Sequence, residues 1–169
     1  MAFHGDAFVK TYSLEKARQT PRLRALVNSG IPLAMTSDAF RVSSCNPWIG
    51  MSWTVTGKSV SGSEILARDN RLSREEALML YTVGAAWFEH QENEKGRIAP
   101  GNLADFALLS ADYFSVPEDE IRNITSVLTV VDGRVVFGTG RYSNLSPQLP
   151  QPLPEWSPIK YFGGYYDTK

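Results

Sequence analysis

The chain is poor in the residues that most directly build chemical sites. Its 169 residues include one cysteine, Cys45, and two histidines, His4 and His90. One cysteine excludes an internal disulfide and fits a reducing compartment, most simply the cytoplasm. Two histidines, with no His-x-His, His-Glu-x-x-His or Cys-x-x-Cys, fall short of the three protein ligands a catalytic zinc site takes. There is no surplus of charge, since 17 basic against 18 acidic residues leave a formal net charge of -1. Without a basic run or interleaved basic and aromatic residues, the chain has no electrostatic footprint for nucleic acid or an anionic membrane. No apolar run approaches the roughly 20 residues of a membrane helix. The opening Met1-Ala-Phe-His-Gly-Asp6 lacks the charged and apolar regions of a signal peptide. Phosphate-binding glycine loops and a Gly-x-Ser-x-Gly nucleophile elbow are also missing.

What is present centres on Gly30-Ile-Pro-Leu-Ala-Met-Thr-Ser-Asp38. The apolar stretch Ile31–Met35 reads as a short buried strand of the parallel type, and Asp38 ends it with a carboxylate. Polar groups beyond the carboxyl ends of parallel strands are where α/β proteins keep their chemistry, so Asp38 is the first site candidate. The competing reading is that Asp38 only closes a turn through an Asx hydrogen bond. Downstream, Arg41, Ser43, Ser44, Asn46 and Trp48 are candidates to face a ligand, against the alternative that Trp48 and Trp53 fill a core gap. Cys45 reads as a small buried apolar residue, because no adjacent base is evident to make it a nucleophile. His90 lies in a solvated charged run and reads as a surface residue.

Around this stretch the punctuation is local. Residues 1 to 12 mix aromatics with a turn. Ser13 can cap a short helix through about Gln19. Thr20-Pro21 can open another at Pro21, carrying the stripe Leu23, Leu26, Val27 and ending at Gly30. Asn46-Pro47 can start a short helix through Val55, followed by a loop from Gly57 to Ser63. Ser73-Arg-Glu-Glu76 is a capping box that opens a helix from Arg74 to about Phe88. On that helix Ala77, Leu80, Tyr81, Gly84 and Phe88 share a face, and Gly84 permits close approach to a neighbour. Leu103–Leu109 reads as a strand and Pro117–Ile121 as one helical turn. Ile124–Val131 and Arg134–Phe137 form a hairpin through Asp132-Gly133. From Tyr142 an irregular, proline-rich tail follows, whose aromatics suggest that it lies across a surface.

Several of these segments together resemble the carboxyl-terminal part of the amidohydrolase superfamily, closest to amidohydrolase family 3. They are Met1–Asp6, Gly30–Asp38, Asn46–Trp53, Leu72–Leu78, Tyr81–Trp87, Lys95-Gly-Arg-Ile-Ala-Pro-Gly-Asn-Leu-Ala-Asp105 and Leu128–Val136. The resemblance implies an α/β fold, namely the last part of a (β/α)₈ TIM barrel with strands of a small β-sandwich. Residues 1–92 would belong to the barrel, 93–140 to the sandwich and 141–169 to the tail. It implies hydrolysis of non-peptide carbon–nitrogen bonds in small amide-type molecules with a divalent metal, zinc being the expected ion. It further implies that Asp38 matches the aspartate at the eighth barrel strand, beside the metal, as proton shuttle. The family's histidine ligands have no counterparts here, and no ligand role is carried onto His4. The expectation is therefore a chain that alone neither holds catalytic metal nor turns over amides. It would either self-associate or dock with a missing amino-terminal barrel portion. The alternative is a non-catalytic remnant or interaction module.

Overall fold

The computed structural model describes residues 1–39 and 43–148. Arg41 and the tail aromatics Trp156, Tyr161, Phe162, Tyr165 and Tyr166 lie outside the described residues. Six short α-helices precede a three-stranded sheet: α1 Gly5–Tyr12, α2 Leu14–Arg18, α3 Leu23–Asn28, α4 Pro47–Thr56, α5 Arg74–Tyr81 and α6 Val83–Phe88. Strands β1 Phe106–Leu109, β2 Ser126–Val131 and β3 Arg134–Gly138 pair antiparallel in the order β1-β2-β3. The mixed helix and strand content agrees with the α/β expectation at that coarse level.

α4 forms where its ends are written into the sequence. The Asn46 side chain accepts the Trp48 amide at 3.0 Å, Pro47 occupies the first turn, and Gly57 closes the helix at φ 72°. The helix is buried nearly all round, Trp48 through Thr56 except Gly50, so it is the central rod of the molecule. On one side Trp48, Met51 and Val55 pack with Ala77 of α5 and with Tyr113, Ile121 and Ile124. On the other, Trp53 packs with Leu23 of α3, Leu66 and Leu72.

α5 begins with the expected capping box. Glu76 N–H donates to Ser73 Oγ at 3.2 Å, and Ser73 N–H donates to Glu76 Oε2 at 2.7 Å. The same carboxylate takes a bidentate fork from Arg24, at 2.5 and 2.9 Å, and Arg24 also reaches the Arg71 carbonyl at 2.6 Å. One side chain thus caps α5 and fastens α3 to it. Arg24 beside it holds the Glu76 carboxyl below the usual Glu range. Its stabilisation is therefore present above the ordinary Glu pKa near 4.5 and is lost as pH falls through the depressed folded value. Glu76→Ala removes a cap and a charge-assisted pair. Both partners are about one-third exposed, so screening lowers the total to roughly 2 kcal/mol. Urea unfolding at pH 7 checks the size, and the variant's stability is expected to change less than the wild type's between pH 5 and 3.

Four expectations are corrected. Ile31–Met35 is not a strand; residues 31–38 carry no regular structure, and Ile31, Pro32 and Ala34 are exposed. A parallel strand needs a neighbouring strand to hydrogen-bond, and the described strands pair only with one another. What holds the segment instead is Met35 N–H donating to the Leu80 carbonyl at 3.0 Å. The helix expected from Arg74 to Phe88 is two helices, broken at Thr82 (φ -118°, ψ -83°). The break shifts the phase of the apolar stripe, so Ala86 is buried and Phe88 is 57% exposed. α3 starts at Leu23 rather than Pro21, with no side-chain cap. Finally, residues 5–12 form a helix that no local signal announced. Its docking is tertiary: a Cβ at Gly5 would stand 2.5 Å from Ile65 Cδ1, and Asp6 accepts hydrogen bonds from Ser59 and Ser61 at 3.0 and 2.7 Å. Hydrogen bonding from Ser63, then Ser61 and Ser59, draws the Asp6 carboxyl below its ordinary range.

The turn at Pro117, the loop after Gly57 and the Asp132-Gly133 hairpin form as expected, the last with φ 50° and 71° at its two central residues. Strand β1 is shorter than Leu103–Leu109. Residues 140–145 form a 3-10 turn beside β3, in what the sequence suggested was the start of the irregular tail.

Candidate active site

The helix break places Asp38. The Leu80 carbonyl, at the end of α5, receives Met35 N–H. Gly84, just past the break, lets the Leu33 carbonyl come within 2.0 Å of where its Cβ would stand. The 31–38 segment is thereby laid across the α5–α6 junction, which carries Thr36, Ser37 and Asp38 to the amino end of α4. Thr36 Oγ1 accepts Asp38 N–H at 3.4 Å and Ser37 Oγ accepts Ala39 N–H at 3.3 Å, so the turn is closed by the two residues before Asp38. Ser43 Oγ donates to the Ser37 carbonyl. Asp38 itself sits at φ 51°, a left-handed conformation that Asp tolerates better than most residues.

These segments border a cavity of about 350 Å³, whose wall includes Asp38, His4, Asn46, Gly50, Trp53 and Tyr81. Asp38 is exposed, and its carboxylate receives no hydrogen bond from the described residues. It is therefore available to a ligand in the cavity. The side chains of Thr36 and Ser37 close the turns that end at Asp38 and Ala39, whereas an Asx bond from Asp38 would reach residue 40, outside the described residues.

The other sequence candidates separate. Asn46 borders the same cavity, but its Oδ1 is engaged in capping α4 and the residue is 4% exposed. Trp48 points the other way. It is 6% exposed, its ring lies 5.4 Å from that of Tyr113, and it borders a different, apolar cavity with Phe106 and Ile98. Ser43 and Ser44 join the Asp38 cavity, as does Trp53. Cys45 is half-buried. His90, at φ 58°, is exposed beside the Trp87 ring. Sequence reasoning missed the contributions of Tyr81 and Gly50. The signal was available only as Tyr81 on the α5 stripe, which reads equally well as core.

Among the described residues no group of three or more His, Cys, Asp and Glu stands together. Asp38 and His4 share a cavity, which is two donors at most. These residues alone do not make the ligand set that a catalytic divalent metal takes.

The family model for the amidohydrolase family matches residues 1–137. The chain belongs to the amidohydrolase family, in its family 3 branch. It is 31% identical over 116 residues to a Bacillus subtilis (strain 168) protein named as the amidohydrolase YtcJ, covering 68% of this chain and 22% of that protein. It is 34% identical over 119 residues to the imidazolonepropionase of Kosmotoga olearia, covering 69% and 26%. Over 113 residues it is 25% identical to the N-substituted formamide deformylase of Arthrobacter pascens, covering 66% and 20%. The matched region thus spans a fifth to a quarter of these relatives' length. No solved structure matches the chain. Among the described residues no helix is long and apolar enough to cross a membrane.

Proposed function

We propose that the chain is the carboxyl-terminal portion of an amidohydrolase that cleaves a non-peptide carbon–nitrogen bond in a small amide-type molecule. Asp38 would move the proton. The observation that carries this reading is the placement of Asp38, exposed at the rim of a 350 Å³ cavity with no hydrogen bond to its carboxylate from the described residues. A free carboxylate there can take a proton from an attacking water and return it to the leaving nitrogen, as general base and then general acid. The family match and the formamide deformylase and imidazolonepropionase relatives support the bond type. On this reading the 31–38 segment is the eighth strand of a barrel, which becomes a strand only when its neighbours are supplied. The β1–β3 sheet belongs to the sandwich. The metal expected for the family would draw its remaining donors from beyond the described residues.

Two measurements test the proposal. The isolated chain, incubated with zinc, is expected to retain well under one equivalent and to release no formate from N-benzylformamide. The same chain extended upstream with its in-frame coding sequence is expected to hydrolyse the amide. There Asp38→Asn would lower kcat by about 10²–10⁴-fold, the usual contribution of a positioned acid–base group. One equivalent of zinc on the isolated chain, with hydrolysis abolished by Asp38→Asn, would sink the idea that it is inactive alone. Unchanged turnover by the extended Asp38→Asn enzyme would remove Asp38 from the chemistry.

A further inference from the structure

The wall of the Asp38 cavity contains a donor that no described residue engages. Tyr81 ends α5, and its ring leans on the cluster of Trp48, Met51 and Val55. Its hydroxyl lies over Gly50 of α4, where a Cβ would stand 2.2 Å from the oxygen. Both Tyr81 and Gly50 border the cavity. Tyr81 is half-buried, no described residue hydrogen-bonds its hydroxyl, and the oxygen is not sealed from the cavity. Burial also pushes the Tyr81 phenol above its ordinary pKa, so it remains protonated and able to donate at neutral pH. A second wall residue repeats the pattern: Trp53 is 6% exposed, and its indole Nε1 is buried with no hydrogen-bond partner among the described residues.

An unengaged donor on a cavity rimmed by a carboxylate complements a ligand with a carbonyl oxygen at one end and an N–H at the other. We infer that the Tyr81 hydroxyl, seated by Gly50, donates to the carbonyl oxygen of a ligand bound in the Asp38 cavity, making Tyr81 a binding residue and Gly50 the position that sets it. The inference rests on the reading of that cavity as the amide site. A secondary amide satisfies both ends, with its oxygen on Tyr81 and its N–H toward Asp38. A free amine lacks the acceptor and leaves the hydroxyl unpaired, a penalty that favours the amide.

The probe is N-benzylformamide titrated into the full chain, with tyrosine Cζ carbons observed by NMR and Tyr81→Phe used for assignment. The Tyr81 Cζ resonance is expected to move with saturation. Tyr81→Phe, which keeps the ring and its packing, is expected to weaken binding about 5-fold, the worth of one neutral hydrogen bond. Gly50→Ala puts a methyl where the hydroxyl lies and is expected to weaken binding at least as much. Benzylamine is expected not to move the resonance. Equal affinity for the wild type and Tyr81→Phe, an unmoved Cζ resonance, or no saturable binding by the wild type would each overturn the inference. Asp38→Asn, measured alongside, keeps the two readings apart. Binding lost at Asp38 but kept in Tyr81→Phe removes Tyr81 alone, and the reverse pattern supports Tyr81 while removing the amide contact of Asp38.

Discussion

Gly84→Ala is expected to lower stability by about 2–3 kcal/mol, even though alanine is the better helix former. Two terms of opposite sign compete. Replacing a glycine in the first turn of α6 gains at most about 1 kcal/mol of propensity. Against it, the new methyl would stand 2.0 Å from the Leu33 carbonyl oxygen, 3.1 Å from its carbon and 3.3 Å from Ala34 Cα. All three are backbone atoms, so no side chain can swing aside. Either the 31–38 segment lifts off α6, or α6 moves and disturbs the break at Thr82. Lifting the segment also threatens the Met35–Leu80 bond that ties it to α5, and with it the position of Asp38. The steric term is therefore expected to win. For a chain of this length each kcal/mol is worth roughly 2–4 °C, so the expected fall in Tm is about 4–12 °C. Differential scanning calorimetry decides the matter. A Tm equal to or above that of the wild type would mean that the segment does not lie against α6.

The same residue shows where a sequence can be read and where it cannot. Helix ends written in side chains were legible. Asn46, Pro47 and Gly57 bound α4, and Ser73 with Glu76 starts α5, because a cap is a bond between residues two or three apart. Asp132-Gly133 was legible for the same reason, since both residues adopt the left-handed backbone a tight hairpin requires. That Gly84 admits a neighbour was legible too, but not which one. The neighbour, Leu33, is 51 residues away and belongs to a segment whose composition reads as a buried strand. Apolar composition alone cannot tell a strand from an extended stretch that lacks pairing partners. The break at Thr82 has no proline to announce it, and α1 has no cap. Both depend on contacts made after the chain collapses. In the site, Asp38 stood out because a carboxylate after an apolar run is unusual. Tyr81 did not, because at helical spacing a tyrosine that borders a cavity looks like one that fills a core. Trp48 is the converse: the sequence left it open between a ligand and a core gap, and the fold packs it in the core with its ring tilted against that of Tyr113.

The largest single loss is expected at Ile121, which joins the helical part of the chain to the turn before β2. Ile121 is 0% exposed and packs among Trp48, Met51 and Val55 of α4, with Ala77, Tyr113 and Ile124. Ile121→Ala removes three carbons from a site walled by two helices and two aromatic rings, where little can collapse to fill the space. The expected cost is about 3–5 kcal/mol, the upper part of the range for such truncations. Nearer the surface the same junction is crossed by Arg122, which donates to the Val60 carbonyl at 3.3 Å, and by an ion pair. Lys58 Nζ meets Asp119 at 2.7 and 2.8 Å, but both side chains are more than a third exposed. An ion pair so placed is worth roughly 0–1 kcal/mol, so Asp119→Ala is expected to leave the denaturation midpoint almost unchanged. The pair of variants separates the two forces at one interface. If burial holds the turn against α4, Ile121→Ala lowers the urea midpoint strongly, Ile121→Val costs about 0.5–1.5 kcal/mol of stability, and Asp119→Ala leaves the midpoint almost unchanged. If Asp119→Ala were instead as damaging as Ile121→Ala, the junction would depend on charge rather than packing, and the division of the core on the two sides of α4 would have to be redrawn.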